Sequence, residues 1–191
     1  MKCAHCSGAK ALPDNDLCLR CERLANSGLK EFEGCYEAIS EFYGNRCARR
    51  SGVPLINHID EGYTILKALG ADEYTKQAFY IHPLLQDDKE LVKNYCRLFP
   101  VRPMVLAMEY RSVANEALAH HQKKASQIRL SPLNEVNQML IADKVQNRKD
   151  FLIHHSKTHE NRTFLDWYFK QWLIALGIDD DRYAELEAMI Y

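Results

Sequence analysis

Three residues that lie far apart in the chain, His58, His82 and Asp143, could together form a metal site. His58 and His82 occur in predicted helices, and Asp143 and Asn147 share one face of a third. That face otherwise carries apolar residues, Val136, Met139 and Leu140. An ionised carboxylate on an apolar face needs a cation or several hydrogen-bond donors. Two histidines would complete a metal site around Asp143, and the alternative is a pairing of Asp143 with an arginine or backbone amides.

Four cysteines near the N-terminus form two Cys-x2-Cys pairs separated by a short polar segment. The pairs are Cys3 with Cys6 and Cys18 with Cys21. Each pair supplies two sulfurs from a tight turn, and zinc prefers a closed tetrahedral shell of four thiolates. So few residues cannot bury a core, and a metal replaces it. The spacing therefore predicts a zinc knuckle over residues 1–27 with a structural role.

The composition excludes several classes of protein. With 191 residues and 47% hydrophobic content, the chain can bury one main core beside a small added module. The net charge of -1 provides no general attraction to nucleic acid or to anionic lipid, so neither is an expected partner. There is no apolar run of membrane-spanning length and no signal peptide, so we expect a cytoplasmic protein. Paired cysteines in that compartment are typical of metal ligands.

The hydrophobic pattern predicts an all-α fold. Apolar residues recur at intervals of three or four along most of residues 28–191, and the β-branched alternation of a sheet is missing. Gly70 is expected to end one helix, and Asp72 and Asp179 are expected to begin others. Because Pro83 follows His82 directly, a helix is expected to end there. These residues are predicted to form one helical domain behind the zinc knuckle.

Three segments of the chain occur in a recognisable order. They are SGVPLINHIDEG around His58, a helix ending in His-x-x-x-Gln-Asp from His82, and ADKVQNRKD around Asp143. This order resembles the hydrolase domain of RelA/SpoT-type (p)ppGpp enzymes, which belongs to the HD superfamily. The resemblance covers most of residues 32–177 and leaves the zinc knuckle outside. It implies an HD-like helical bundle.

The resemblance also implies a set of metal ligands. In the family a single divalent metal, usually manganese, is bound by a first histidine, a His-Asp doublet and a distant aspartate. These positions correspond to His58, His82 and Asp143. The doublet is broken here, because Pro83 takes the place of its aspartate and offers no side-chain ligand.

The residues that the resemblance implies for catalysis are only partly retained. The acidic pair that helps to activate water in the family corresponds to Gln86 and Asp87, and an amide cannot accept a proton at neutral pH. Asn147 matches the asparagine of the ADK segment. Arg49 or Arg50 lies roughly where the family keeps an arginine that faces the phosphate.

Two functions are therefore open. The first is metal-dependent hydrolysis of a nucleotide polyphosphate such as (p)ppGpp, with Asp87 orienting or deprotonating water and Arg49 or Arg50 holding the phosphate. The second is a catalytically inactive HD-like module that binds a nucleotide or a protein partner. Pro83 and Gln86 favour the second, because both changes fall where the chemistry needs a ligand or a base.

The zinc knuckle gives the first testable prediction. Replacing Cys18 with serine removes one of four thiolates, so Cys18→Ser protein should contain one zinc ion fewer per chain than the intact protein. Elemental analysis of both purified proteins measures this difference. Equal zinc content in the two proteins, or no zinc in either, would contradict the assignment.

Overall fold

The computed structural model describes residues 34–49, 51–94, 99–119 and 124–191. The predicted zinc knuckle lies outside these ranges, and so does the predicted phosphate-binding residue Arg50. The zinc ligands Cys3, Cys6, Cys18 and Cys21, and the domain boundary after residue 27, therefore stay predictions from the sequence.

The described residues form an all-helical fold, which confirms the predicted fold class. Their eight α-helices are α1 (Cys35–Tyr43), α2 (Ile56–Ala68), α3 (Glu73–Leu85), α4 (Asp88–Asn94), α5 (Val101–Ala119), α6 (Asn134–Asp150), α7 (Arg162–Ala175) and α8 (Asp180–Glu187). A 3-10 turn (Ala125–Gln127) precedes α6, and a π-helical turn (Phe151–His155) follows it directly. Within these ranges no helix combines the length and apolar character needed to cross a bilayer.

Helix α6 lies at the centre of the bundle. It contacts α2, α3, α5, α7 and α8, and helices α2 and α3 also contact each other. The side chains between these helices are apolar and almost fully buried. They include Ile59, Ile65, Leu66, Phe79, Ile81, Leu84, Tyr110, Val136, Met139, Leu140, Trp172 and Leu186. Because α2, α3 and α6 meet pairwise, residues far apart in sequence can share one site between them.

Local signals in the sequence correctly predict several helix ends. The carboxylate of Asp72 accepts a hydrogen bond from the backbone N–H of Thr75 at 2.7 Å, and Asp179 caps α8 in the same way. Gly70 follows α2 with a φ of 66°, a conformation that glycine adopts without steric penalty. Capping and turn formation involve only neighbouring residues, so the sequence is sufficient to locate them.

The predicted end of α3 at His82 is wrong. The helix continues through Pro83 to Leu85, and the side chains of Leu84 and Leu85 are buried in the core. A proline within a helix cannot donate a hydrogen bond to the carbonyl four residues earlier, here that of Phe79. The imidazole of His82 supplies a donor instead, with Nδ1 2.6 Å from the Phe79 oxygen. Packing and this side-chain hydrogen bond outweigh the local tendency of proline to end the helix.

The contact between Gly62 and Phe79 gives a prediction about stability. A Cβ atom at residue 62 would overlap the ring of Phe79, which also lies beside the rings of His58 and His82. We expect Gly62→Ala to lower the free energy of unfolding by ~1–3 kcal/mol because it overpacks this contact. Alanine has the higher helix propensity by about 1 kcal/mol, so propensity alone predicts the opposite sign. Urea denaturation measures the difference.

A double-mutant cycle isolates the contact. In a Phe79→Leu background the smaller side chain leaves room for the new methyl group, so Gly62→Ala should destabilise the protein less than it does in the wild type. An equal loss of stability in both backgrounds would show that the ring of Phe79 is not the cause.

Candidate metal centre

His58, His82 and Asp143 meet between helices α2, α3 and α6. His58 lies in the first turn of α2, His82 in the last turn of α3, and Asp143 near the middle of α6. Nε2 of His58 lies 3.4 Å from Nε2 of His82 and 3.6 Å from Oδ1 of Asp143. The three ligand atoms lie within 4.8 Å of one another, and no other such group of metal-ligating side chains occurs among the described residues.

The ring of His82 is oriented by the backbone of its own helix. Its Nδ1 lies 2.6 Å from the carbonyl oxygen of Phe79, which can only accept a hydrogen bond. The proton of the neutral ring is therefore on Nδ1, and Nε2 presents a lone pair. Burial, followed by the neighbouring His58, lowers the pKa of His82 to about 3, so the ring is neutral at neutral pH.

Pro83 contributes to this orientation. In a regular helix the Phe79 carbonyl would accept a hydrogen bond from the backbone N–H of residue 83, which proline lacks. The oxygen therefore has no backbone competitor at that position for the hydrogen bond from Nδ1 of His82. Pro83 thus helps to hold the ring of His82 in place.

The ring of His58 is oriented by Gln146 of α6. Nδ1 of His58 lies 2.7 Å from Oε1 of Gln146. The amide nitrogen of Gln146 donates to Oε2 of Glu61 at 3.0 Å and to Oδ2 of Asp150 at 2.8 Å. Because both carboxylates require a donor, the orientation of the amide follows from the network, and Oε1 must accept from Nδ1 of His58. Nε2 of His58 therefore also presents a lone pair.

Asp143 is held as a carboxylate by donors on both oxygens. Asn147 donates to Oδ1 at 2.9 Å, and the ammonium group of Lys144 donates to Oδ2 at 2.7 Å. Burial alone would raise the pKa of Asp143, but Lys144, followed by His58 and His82, outweighs burial and lowers the pKa to about 2. The sequence left open a pairing of Asp143 with an arginine or backbone amides, and the cation found beside it is Lys144.

Three acceptor atoms therefore face one another in a buried space. Nε2 of His58, Nε2 of His82 and Oδ1 of Asp143 are close, and in the neutral rings the hydrogen bonds made by each Nδ1 leave no proton between them. Facing lone pairs repel one another at this separation in a low dielectric. A divalent cation removes that repulsion, so the donor set fits a metal of the kind that binds imidazole and carboxylate.

The three ligands open onto a cavity of about 600 Å³. Asn147 and Lys144 line it together with Pro83 and Gln86. The remaining wall includes several aromatic side chains, Tyr43, Phe151, Tyr168 and Phe169. A cavity of this size accommodates a small organic ligand.

The other predicted site residues are not all brought to this cavity. Gln86 lines it, and its backbone carbonyl accepts a hydrogen bond from Nε of Arg111 at 2.9 Å. Asp87 is exposed, and its carboxylate accepts from the backbone N–H of Glu90 at 2.8 Å, which makes it the cap of α4. Neither Asp87 nor the exposed Arg49 is among the described residues that line the cavity. The Asp87 carboxylate does not line the cavity because it caps helix α4.

Sequence reasoning missed Lys144, Gln146, His155 and His159, which all line the cavity. A signal for the first two was present, because the run around Asp143 is polar on every helical face although α6 is central. Such a helix must satisfy its polar groups internally, as Gln146 does with Glu61, 85 residues earlier in the chain. The π-helical turn that carries His155 has no recognisable signal in the sequence.

In comparisons with known proteins, no family model, no curated protein and no solved structure gives a significant match to this chain. Functional inference must therefore start from the geometry of the site and from the motifs in the sequence.

The role of Gln146 can be tested through metal affinity. Gln146→Ala removes the acceptor that holds His58 in the tautomer with a free Nε2, so manganese affinity should fall roughly 10- to 100-fold. Manganese is a suitable probe because the thiolates of the predicted zinc knuckle would be poor ligands for it. Electron paramagnetic resonance of free manganese during titration measures the affinity.

Gln138 provides a matched control on the same helix. Its amide donates to the carbonyl of Leu69 at 3.1 Å, and Gln138 is not among the described residues that line the cavity. Gln138→Ala should leave manganese affinity unchanged. Equal loss of affinity in the two variants would mean that Gln146 acts through general stability of α6.

Proposed function

We propose that this protein is an HD-type, metal-dependent phosphohydrolase that acts slowly on a nucleotide polyphosphate such as (p)ppGpp. The proposal rests on the convergence of Nε2 of His58, Nε2 of His82 and Oδ1 of Asp143 at the wall of a cavity of about 600 Å³. It is also supported by the order of the three sequence segments that resemble the hydrolase domain of RelA/SpoT-type enzymes.

The separations from Nε2 of His58 to the other two ligand atoms suit a shared metal. Two atoms bonded to one ion at about 2.1 Å, with an angle of about 90° to 120° between the bonds, lie about 3.0 to 3.6 Å apart. The separations of 3.4 Å and 3.6 Å from Nε2 of His58 fall within this range. Manganese or another divalent ion bound there would supply Lewis acidity towards water and a phosphate oxygen. Three protein ligands leave coordination positions open, as catalytic sites require.

The residues around the metal ligands have separate roles in this proposal. Asn147 and Lys144 keep Asp143 ionised and fixed, and Gln146 keeps the lone pair of His58 directed at the site. Aromatic side chains of the cavity wall, including Tyr168 and Phe169, offer surfaces on which a nucleobase could stack. Zinc has only a structural task here, in the knuckle predicted at the N-terminus.

Slow turnover follows because no carboxylate among the described lining residues is free to act as a base. The carboxylates among the described lining residues are Asp143 and Asp150. Asp150 accepts from Gln146 at 2.8 Å and lies 3.3 Å from the ammonium group of Lys149, so it is already engaged. Gln86 cannot accept a proton, and the carboxylate of Asp87 caps α4.

The same observations favour a second candidate function, an inactive module that binds a nucleotide or a protein partner in this cavity. Pro83 lines the cavity at the position where the family has a fourth ligand. Binding needs only the cavity and its polar groups, whereas hydrolysis also needs a base and a firmly held metal. The two candidates share one pocket and differ in turnover.

A panel of nucleotides distinguishes the two candidates. Guanine and adenine polyphosphates, including (p)ppGpp, are titrated by calorimetry with and without manganese, and phosphate release is followed by chromatography. The phosphohydrolase should bind at least one of them and release phosphate only with manganese, and Asp143→Ala should reduce release to background. Binding without release by the wild-type protein would support the inactive module. If no nucleotide gives a heat of binding, both the phosphohydrolase and the inactive nucleotide-binding module are contradicted.

Substitutions at Pro83 test whether a carboxylate at this position would strengthen metal binding. Pro83→Asp restores a carboxylate next to His82 and should tighten manganese binding roughly tenfold, with faster phosphate release. Pro83→Ala restores only the backbone N–H and is the matched control, for which no gain is expected. A gain of equal size in both variants would assign the effect to the helix backbone.

A further inference from the structure

A histidine-rich turn forms one wall of the cavity and is not used in the proposed chemistry. Helix α6 passes into the π-helical turn Phe151–His155, and the chain then turns again before α7. His155 and His159 line the cavity of about 600 Å³. They also line a neighbouring cavity of about 430 Å³, together with His154, Thr158 and Glu160. The two half-buried imidazoles therefore separate the two cavities.

The backbone fixes the positions of both histidines. The carbonyl of His155 accepts hydrogen bonds from the N–H groups of Thr158 and His159, at 3.1 Å and 2.9 Å. The carbonyl of His159 accepts a hydrogen bond from the N–H of Arg162 at 3.1 Å. The two imidazole rings lie edge to face, with centroids 6.4 Å apart. The turn is thus a defined structure with two rings at fixed positions.

A backbone hydrogen bond determines which nitrogen of His159 carries the proton. The N–H of Asn161 donates to Nδ1 of His159 at 3.0 Å. Nδ1 of the neutral ring must then be the acceptor, and Nε2 carries the proton. A metal ion would need the lone pair on Nε2, so this tautomer does not suit metal binding. It suits an acceptor such as a phosphate oxygen, to which Nε2–H can donate.

The charges around the turn determine on which side of the two rings an anion is better accommodated. Glu160 lines only the smaller cavity, where its carboxylate would repel an anion. The described carboxylates of the larger cavity, Asp143 and Asp150, are paired with Lys144 and Lys149. An anion beside the rings is therefore better accommodated on the side of the larger cavity.

We propose that His159, with His155 beside it, forms a second phosphate-binding subsite, which takes a phosphate group of the nucleotide other than the one beside His58, His82 and Asp143. This inference rests on the proposed function, because it requires a nucleotide in the larger cavity. It goes beyond that function by assigning selectivity for the number of phosphate groups, since a ligand with one phosphate group can occupy only one of the two subsites.

The test compares ligands that differ in the number of phosphate groups. Dissociation constants of guanosine 5′-monophosphate, diphosphate and triphosphate are measured by calorimetry with manganese present. The wild-type protein should bind the triphosphate at least roughly tenfold more tightly than the monophosphate. In His159→Ala the ratio of the monophosphate to the triphosphate dissociation constant should fall roughly tenfold, which is the order of one charge-assisted hydrogen bond. The affinity for the monophosphate and the melting temperature should be unchanged.

Two further variants control the test. His159→Gln keeps an N–H donor and should retain part of the preference for the triphosphate. Lys157→Ala removes a full positive charge from an exposed position on the same turn and should leave the preference intact. An unchanged ratio in His159→Ala, or an equal loss in Lys157→Ala, would overturn the subsite and leave the proposed function standing. Failure of the wild-type protein to bind any of the three ligands would overturn both.

Discussion

The mutual approach of three acceptor atoms is the constraint on which the rest of the site depends. Nε2 of His58, Nε2 of His82 and Oδ1 of Asp143 would repel one another, and each is nevertheless held in place from behind. Gln146 holds the first ring and the Phe79 carbonyl holds the second. Such an arrangement is unfavourable for the protein alone and becomes favourable when a cation is shared. The positions of the three acceptor atoms therefore depend on hydrogen bonds made by the opposite sides of the two rings.

Helix α6 supplies this support because it is both central and polar. Lys149 lies 2.6 Å from Oε1 of Glu61 on α2 and 3.5 Å from the carbonyl of Ile190 near the C-terminus. Gln146 reaches the same glutamate, so one network connects α2, α6 and the end of the chain. Buried polar groups are tolerated only when their partners are in place, and removing one member leaves the others unsatisfied. The orientation of His58 is thus coupled to the packing of three parts of the bundle.

The parts of the structure that could be predicted from the sequence are those determined by neighbouring residues. Helical periodicity and the caps at Asp72 and Asp179 correctly predicted the all-α fold and several of its boundaries. The end predicted at Pro83 was wrong, because a side-chain hydrogen bond and two buried leucines outweigh a local rule. The support from Gln146 depends on partners that lie 85 and 88 residues away, and spacing within one helix carries no information about them.

Pro83 connects the two functional alternatives. It offers no side-chain ligand beside His82, and its lack of a backbone N–H leaves the Phe79 carbonyl free to accept from His82. The first effect weakens the hold on a metal, whereas the second preserves the geometry of the ligands that remain. A buried, neutral His82 with its Nε2 lone pair facing Nε2 of His58 is unfavourable without a cation, since an apolar residue would pack there without facing lone pairs. The polar cluster therefore favours a cavity that binds a charged ligand, and in the proposed reaction the rate of hydrolysis depends on a base, which neither Pro83 nor Gln86 can supply.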